Sequence, residues 1–170
     1  SDDAIGKYTR NVLNYFGVKT ELLTTVKNSR NTLAVVDTNG DNTQAVIYRH
    51  AAADLFLTST HAKTINLKPY STIISTGTAL TKNPSQAAVL SILKRSKEMG
   101  KDVILDIDYR SETWSSPEKA KLILRKASKY ANIIVGNDIE FDLISESKGQ
   151  GLQFAESLTK LYTQKIIYKI

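Results

Sequence analysis

Cysteine is absent from the 170 residues, and histidine occurs only twice, as His50 and His61. The first absence excludes disulfides, thiolate nucleophiles and cysteine-held metal sites. The second excludes a histidine-only metal site for want of a third ligand. Glycine and proline are sparse, at 8 and 3 residues, so no collagen-like repeat or Pro/Gly-rich linker interrupts the chain. No apolar run approaches the roughly 20 residues that cross a bilayer. The acidic start Ser1-Asp2-Asp3 does not have the form of a secretory signal, which makes the cytoplasm the expected compartment and a membrane an unexpected partner.

What is there is ordinary for a globular domain: 41% hydrophobic and 24% charged residues, enough to bury a continuous core. The 23 basic residues outnumber the 17 acidic ones, for a formal charge of +6. They are spread from Lys7 to Lys169 without a dense block. Lys119, Lys121, Arg125, Lys126 and Lys129 fall on one predicted helix beside Glu118, and no aromatic residues are interleaved with them as a base-stacking surface needs. The charge reads as a solvated helix face, and nucleic acid is not an expected partner.

Periodicity predicts a helix over 2–16, with Ser1 or Asp2 as its cap, Ile5, Tyr8, Val12 and Phe16 along one stripe, and Gly17 as its stop. A short strand is expected around 21–26. Two β-rich runs, 32–37 and 45–49, flank Thr-Asn-Gly-Asp-Asn with its Asn39-Gly40 turn signal, which together predict a β-hairpin. From residue 71 strands and helices alternate. Strands are expected at 72–76, 103–107, 133–135 and 166–168, with helices at 84–99, 117–130, 139–145 and 152–162. Such alternation implies an α/β sandwich: a parallel sheet covered on both faces, with the hairpin as an appendage.

Ligands of open α/β sheets bind outside the carboxyl ends of the strands, and three such ends carry polar groups. In Ser75-Thr76-Gly77-Thr78, Gly77 either lets backbone approach a ligand or makes an ordinary strand-to-helix turn. In Asp106-Ile107-Asp108-Tyr109-Arg110, a period of two places both aspartates and the arginine on one face, with Ile107 and Tyr109 opposite. A local ion pair is one reading. Two acids with one base leave hydrogen-bonding capacity for a ligand. In Gly136-Asn137-Asp138-Ile139-Glu140, Asn137 and Glu140 either form a reciprocal helix cap or serve a metal or phosphate. Arg49, ending the second hairpin strand, is either a clamp for an acidic or hydroxylated ligand or a solvent-facing charge. His50 and His61 read as surface or capping residues.

These stretches in this order resemble the ribokinase-like (PfkB) carbohydrate kinases over essentially the whole chain. Ser1-Asp2-Asp3-Ala4-Ile5-Gly6 is similar to the family's Gly-Asp-Asp-x-x-Gly, with Ser1 in place of the glycine. The hairpin resembles the family's lid, spanning 20–49. Asp106-Ile107-Asp108-Tyr109-Arg110 with Trp114, and Glu140-Phe141-Asp142 after Gly136, look most like the 5-dehydro-2-deoxygluconate kinases, with 2-keto-3-deoxygluconate kinases and other PfkB sugar kinases as the alternative.

The resemblance implies a ribokinase-like three-layer sandwich, partial here, with a mainly parallel sheet and a β-hairpin lid. It implies transfer of the ATP γ-phosphoryl group to a primary hydroxyl of a sugar acid, with ATP and Mg2+ as cofactors, in inositol catabolism. Arg49 and Arg110 match arginines that hold the sugar acid, with Gly77, Asp108 and Tyr109 beside them. Asn137 and Glu140 match the Asn-x-x-Glu motif that supports Mg2+ and phosphate through water, so no residue is expected to ligate the metal directly. A homodimer through the lid hairpin is expected.

The family's catalytic aspartate lies in a late Gly-Ala-Gly-Asp, and no Gly-x-Gly-Asp occurs here; Gly149-Gln150-Gly151 is followed by Leu152. The resemblance therefore implies that residues 1–170 are the central part of a single, longer kinase domain, inactive alone. The alternative is a non-catalytic binding or assembly module that retains the fold.

Overall fold

The computed structural model describes residues 1–38, 44–145, 148–162 and 164–169; the Asn39-Gly40 turn lies outside them. By its internal contacts the chain divides into two compact units, Ser1–Leu57 and Thr58–Ile170.

The first unit opens with helix α1 (Ala4–Tyr15), two residues shorter at its start than predicted because Asp3 is the cap: its Oδ1 accepts the Gly6 N–H at 3.0 Å. Gly17, at φ +72°, ends the helix in the left-handed conformation that glycine adopts at least cost. No strand forms at 21–26. Arg10 takes the carbonyls of Thr20 and Leu23 with its guanidinium, so an acceptor that a strand would offer to a neighbour is occupied from the helix instead. Strands β1 (Leu33–Asp37) and β2 (Gln44–Tyr48) pair antiparallel, with Leu33 opposite Tyr48 and Val35 opposite Val46. Beyond them Ala52 and Leu55 are buried around a short 3-10 turn, Ala53–Phe56.

The second unit begins with helix α2 (Ser59–Thr64), capped by Thr58, whose hydroxyl also lies 3.1 Å from His61 Nδ1. The sheet follows: β3 (Thr72–Thr76), β4 (Asp102–Asp106), β5 (Ile133–Asn137) and β6 (Lys165–Lys169), parallel throughout and adjacent in that order. Between them run α3 (Ser85–Glu98), α4 (Pro117–Ser128), and the pair α5 (Asp138–Ile144) and α6 (Gly151–Tyr162). The α/β class and its strand–helix order are those expected. Ser116 caps α4 with Pro117 at the first position, and Gly100 (φ +66°) terminates the turn after α3.

Because each crossover steps one strand further the same way, right-handed connections bring these helices to one side of the sheet. Val103, Leu105 and Ile134 on that side are fully buried against Leu93, Leu124, Phe141 and Ile144. Each such side chain contributes about 1.5–3 kcal/mol by leaving water. The opposite side departs from a sheet covered on both faces: Ile74 is 70% and Ile167 53% exposed. Thr76, Asp106, Asn137 and Lys169 stand on this more open side, at the carboxyl ends of the four strands, by register and the two-residue period.

Candidate functional site

The strand ends build a compact cluster of acids, bases and hydroxyls. β4 stops at Asp106, so the alternation expected to carry Asp106, Asp108 and Arg110 on one face does not extend past it. Asp108 instead turns the chain with φ +37°. A non-glycine residue there costs of order 1–3 kcal/mol and persists only where the surroundings enforce it. Here they do. The Asp108 N–H donates to Asp106 Oδ1 at 3.3 Å, and Asp108 Oδ1 and Oδ2 accept from Arg110 Nε at 3.1 Å and Thr78 Oγ1 at 3.2 Å. The two aspartates and the arginine are thus brought together, by a turn rather than by strand alternation. Arg110 keeps more than half of its side chain in solvent, and its two terminal nitrogens have no partner among the described residues.

Asn137 and Glu140 form the reciprocal cap in full. Asn137 Oδ1 accepts the Glu140 N–H and Glu140 Oε2 accepts the Asn137 N–H, both at 2.9 Å. Glu140, only 6% exposed, accepts a second backbone bond, from Tyr109 to Oε1 at 2.9 Å, and so ties the β4 loop to the start of α5. The amide nitrogen of Asn137 makes no hydrogen bond among the described residues.

Lys169 completes the cluster, and the sequence offered no sign of it beyond its place at a strand end. Its Nζ lies 3.2 Å from Asp106 Oδ1 and 3.6 Å from Glu140 Oε2. Partial burial pulls its pKa down, but the bond to Asp106 and the charges of Glu140, Asp106 and Asp108 outweigh this and hold the ammonium above its ordinary value. Thr78 was likewise not singled out for itself. It reaches Asp108 from the 3-10 turn Gly77–Leu80 and shares a 2.8 Å hydrogen bond with Thr76.

Gly77 is buried, and the close approach it permits is of protein to protein. A Cβ there would sit 2.0 Å from the Ile107 carbonyl oxygen and 2.7 Å from Leu124 Cδ2. Trp114 is buried beyond the Asp108-Tyr109-Arg110 turn, at 7% exposure.

In the first unit, Arg49 is neither solvent-facing nor unpaired. Its side chain is 12% exposed and grips Asp54 through Nε at 2.9 Å and Nη2 at 2.5 Å, while Thr32 donates to the other oxygen of Asp54. Arg49 lines a cleft of about 570 Å3 with Asp3, Arg30, Asn31 and Tyr48. Asp3, whose carboxyl is held below its ordinary pKa by Ser1 and the Gly6 N–H, pairs there with Arg30 at 3.3 Å.

Chemically, the cluster in the second unit combines an arginine fork facing solvent, a lysine held charged, an open amide and a carboxylate, Asp106, with one oxygen unengaged among the described residues. Such a set binds anions and a hydrated cation together. Among the described residues no group of three acids or histidines could cage a metal ion by itself.

The model of the pfkB family carbohydrate kinases matches residues 1–169. Curated relatives include the 5-dehydro-2-deoxygluconokinase of Photobacterium profundum, 28% identical over 174 residues, covering 99% of this chain and 53% of the relative. The 5-dehydro-2-deoxygluconokinase of Lacticaseibacillus casei is 29% identical over 154 residues, covering 88% of this chain and 47% of its own length. The chain therefore spans about half the length of the curated relatives it matches. Among solved structures, Vibrio cholerae fructokinase with fructose, ADP and calcium ion bound aligns with a TM-score of 0.78 at 20% identity, over 94% of this chain and 52% of that one.

Proposed function

The chain belongs to the pfkB family of carbohydrate kinases, and on that footing we propose that the whole protein transfers the ATP γ-phosphoryl group to a primary hydroxyl of a sugar acid. The observation that carries the acid preference is Arg110. Its Nε is held by Asp108, and its terminal nitrogens look outward at a strand end where ligands of open α/β sheets bind. That edge of the guanidinium takes a carboxylate through two parallel hydrogen bonds. 5-Dehydro-2-deoxygluconate is the proposed substrate, supported by the relatives that carry its kinase's name.

Phosphoryl transfer is mostly positioning and charge stabilisation. Lys169 and the Asn137 amide are the groups offered to phosphate oxygens. Mg2+ fits this donor set as a hydrated ion rather than a caged one. Both oxygens of Glu140 are engaged by backbone N–H groups, whereas Asp106 has one oxygen open among the described residues. Asp106, Asn137 and Glu140 would hold the ion through water, and when bound it neutralises phosphate charge. Gly77 and Tyr109 border this region. Arg49, within the first unit, is proposed to take a sugar-acid carboxylate there, in competition with its pairing to Asp54. No residue of this chain is assigned the proton-accepting role, so the 170 residues by themselves are expected not to turn over.

The hairpin, with Val35, Val46 and Tyr48 each more than half exposed, is the proposed dimer contact, and the cytoplasm the proposed compartment. The test is a phosphorylation screen of the whole protein with Mg·ATP against keto-sugar acids and neutral sugars. The expected result is the highest kcat/KM on 5-dehydro-2-deoxygluconate, with 2-keto-3-deoxygluconate next. Preference for a neutral sugar would overturn the acid assignment, and no turnover on any member would overturn the kinase reading.

A further inference from the structure

We infer that Thr78 and Asp108 are positioning residues which set the preference for a carboxylate-bearing substrate by fixing how Arg110 presents its guanidinium. The inference rests on the reading of Arg110 as the carboxylate site. Asp108 stands in the sequence-derived set of substrate contacts, but each of its oxygens already accepts a hydrogen bond, one from Arg110 Nε and one from Thr78 Oγ1. Its backbone is locked as well: φ is +37° and its N–H is bound to Asp106. The direction of its carboxylate is therefore fixed by protein groups before any ligand arrives.

The way Arg110 is held matters. A guanidinium offers two forks, and pairing through Nε leaves the terminal fork of Nη1 and Nη2, whose two N–H groups match the spacing of a carboxylate's oxygens. Arg110 is otherwise a long side chain, more than half in solvent, and without Asp108 it would sample many rotamers. Thr78 matters because it comes from the end of a different strand. Its hydroxyl donates to Asp108 Oδ2 and is itself bound to Thr76 Oγ1, which stops the carboxylate from rotating away from Arg110. The relay thus runs from the end of β3 through Asp108 at the end of β4 to the arginine, and touches the substrate only at its last member. Order in the arginine is worth affinity for a charged partner and nothing for a neutral one.

The experiment is steady-state kinetics of the whole protein on 5-dehydro-2-deoxygluconate and on its carboxamide, for wild type, Thr78→Val, Thr78→Ser, Asp108→Asn and Arg110→Met. Thr78→Val is expected to raise KM for the acid about tenfold, the size of one hydrogen bond to a charged group, with a smaller change in kcat. KM for the carboxamide should move far less, and Thr78→Ser should restore the acid. Asp108→Asn should behave as Thr78→Val or worse, and Arg110→Met should abolish the acid-over-amide preference. Equal effects of Thr78→Val on both substrates, or a loss in kcat instead of KM, would overturn the relay. If Arg110→Met abolishes the preference while Thr78→Val and Asp108→Asn leave it intact, the relay alone is wrong. If Arg110→Met leaves the preference intact, the carboxylate reading fails and the relay with it.

Discussion

Lys169 Nζ sits 3.2 Å from Asp106 Oδ1, although the two residues are 63 apart in sequence and their strands are separated by β5. The lysine side chain crosses one whole strand to reach an acid two strands away. An ammonium committed to carboxylates in this way is stored charge that an incoming phosphate can recruit. Lys169→Met in the whole protein is expected to lower kcat about 10²-fold, as loss of one charge-stabilising donor does, with Lys169→Arg intermediate. An unchanged kcat would remove Lys169 from the reaction. The folded pKa lies above the ordinary lysine value, so the pairing stabilises the fold fully below that value and is lost as pH rises through the raised one. Wild type should therefore lose stability at alkaline pH more steeply than Lys169→Met, as measured by denaturant titration.

Glu140 is a structural hinge of the site before it is anything else. Replacing it by Gln keeps the shape but turns one acceptor into an N–H2 group facing a backbone N–H. The buried donor left unsatisfied costs about 1–3 kcal/mol. Glu140→Gln should lower the thermal midpoint, and whichever of the Tyr109 and Asn137 amides faces the new N–H2 group should lose hydrogen-exchange protection. Unchanged protection at both amides would show that these bonds contribute nothing to holding the site.

Gly77 separates packing from ligand approach. Adding a single methyl brings a carbon to within 2.0 Å of the Ile107 carbonyl oxygen, a backbone atom that cannot swing aside. Gly77→Ala is expected to cost about 1–3 kcal/mol or more through overpacking. A variant of unchanged stability with impaired sugar binding would place the reason for this glycine in the ligand instead.

The fold was legible because its signals are local and strong. Gly17 and Gly100 adopt the left-handed turn expected of them, Ser116-Pro117 opens α4, and the apolar strands fall within a residue or two of their expected limits. The failures are non-local. The run 21–26 has strand-like composition, yet Arg10, from the preceding helix, takes the carbonyl of Leu23 within it and that of Thr20 just before it. The Asp106–Asp108–Arg110 group was found for a geometric reason that does not hold: strand alternation stops at Asp106 and a strained turn replaces it. Thr78 and Lys169 were missed because a hydroxyl or an ammonium at a strand end becomes part of a site only through a partner about 30 or more residues away.

The carboxyl of Asp3 supports α1 by a route that pH can switch. Its pKa is lowered first by the Ser1 hydroxyl and then by the Gly6 N–H, so the folded state favours the charged form. A depressed carboxyl contributes stability that is complete above its ordinary value of 3.8 and vanishes as pH falls through the lowered one. Amide exchange at Gly6 and Lys7 should accelerate, after correction for intrinsic rates, over that acidic window. In Asp3→Asn the same amides should show no such step. A step of equal size in both proteins would assign the acid response to some other carboxylate.

The hairpin carries its apolar side chains outward on both faces. Leu33, Val35, Val36, Val46 and Tyr48 are each about half exposed or more, and Val35 stands opposite Val46 in the register. A two-stranded ribbon with so much apolar surface is marginal in water, and a second copy is the partner that would cover it symmetrically. Substituting Val35 and Val46 together by Lys places two charges opposite each other on the proposed contact, where like charges repel, without touching any core residue. Sedimentation equilibrium of the whole protein should then shift from dimer to monomer, while far-UV circular dichroism of the double variant stays close to wild type. A dimer that survives both lysines would move the contact away from the hairpin, and a wild-type protein that stays monomeric at high concentration would remove it altogether.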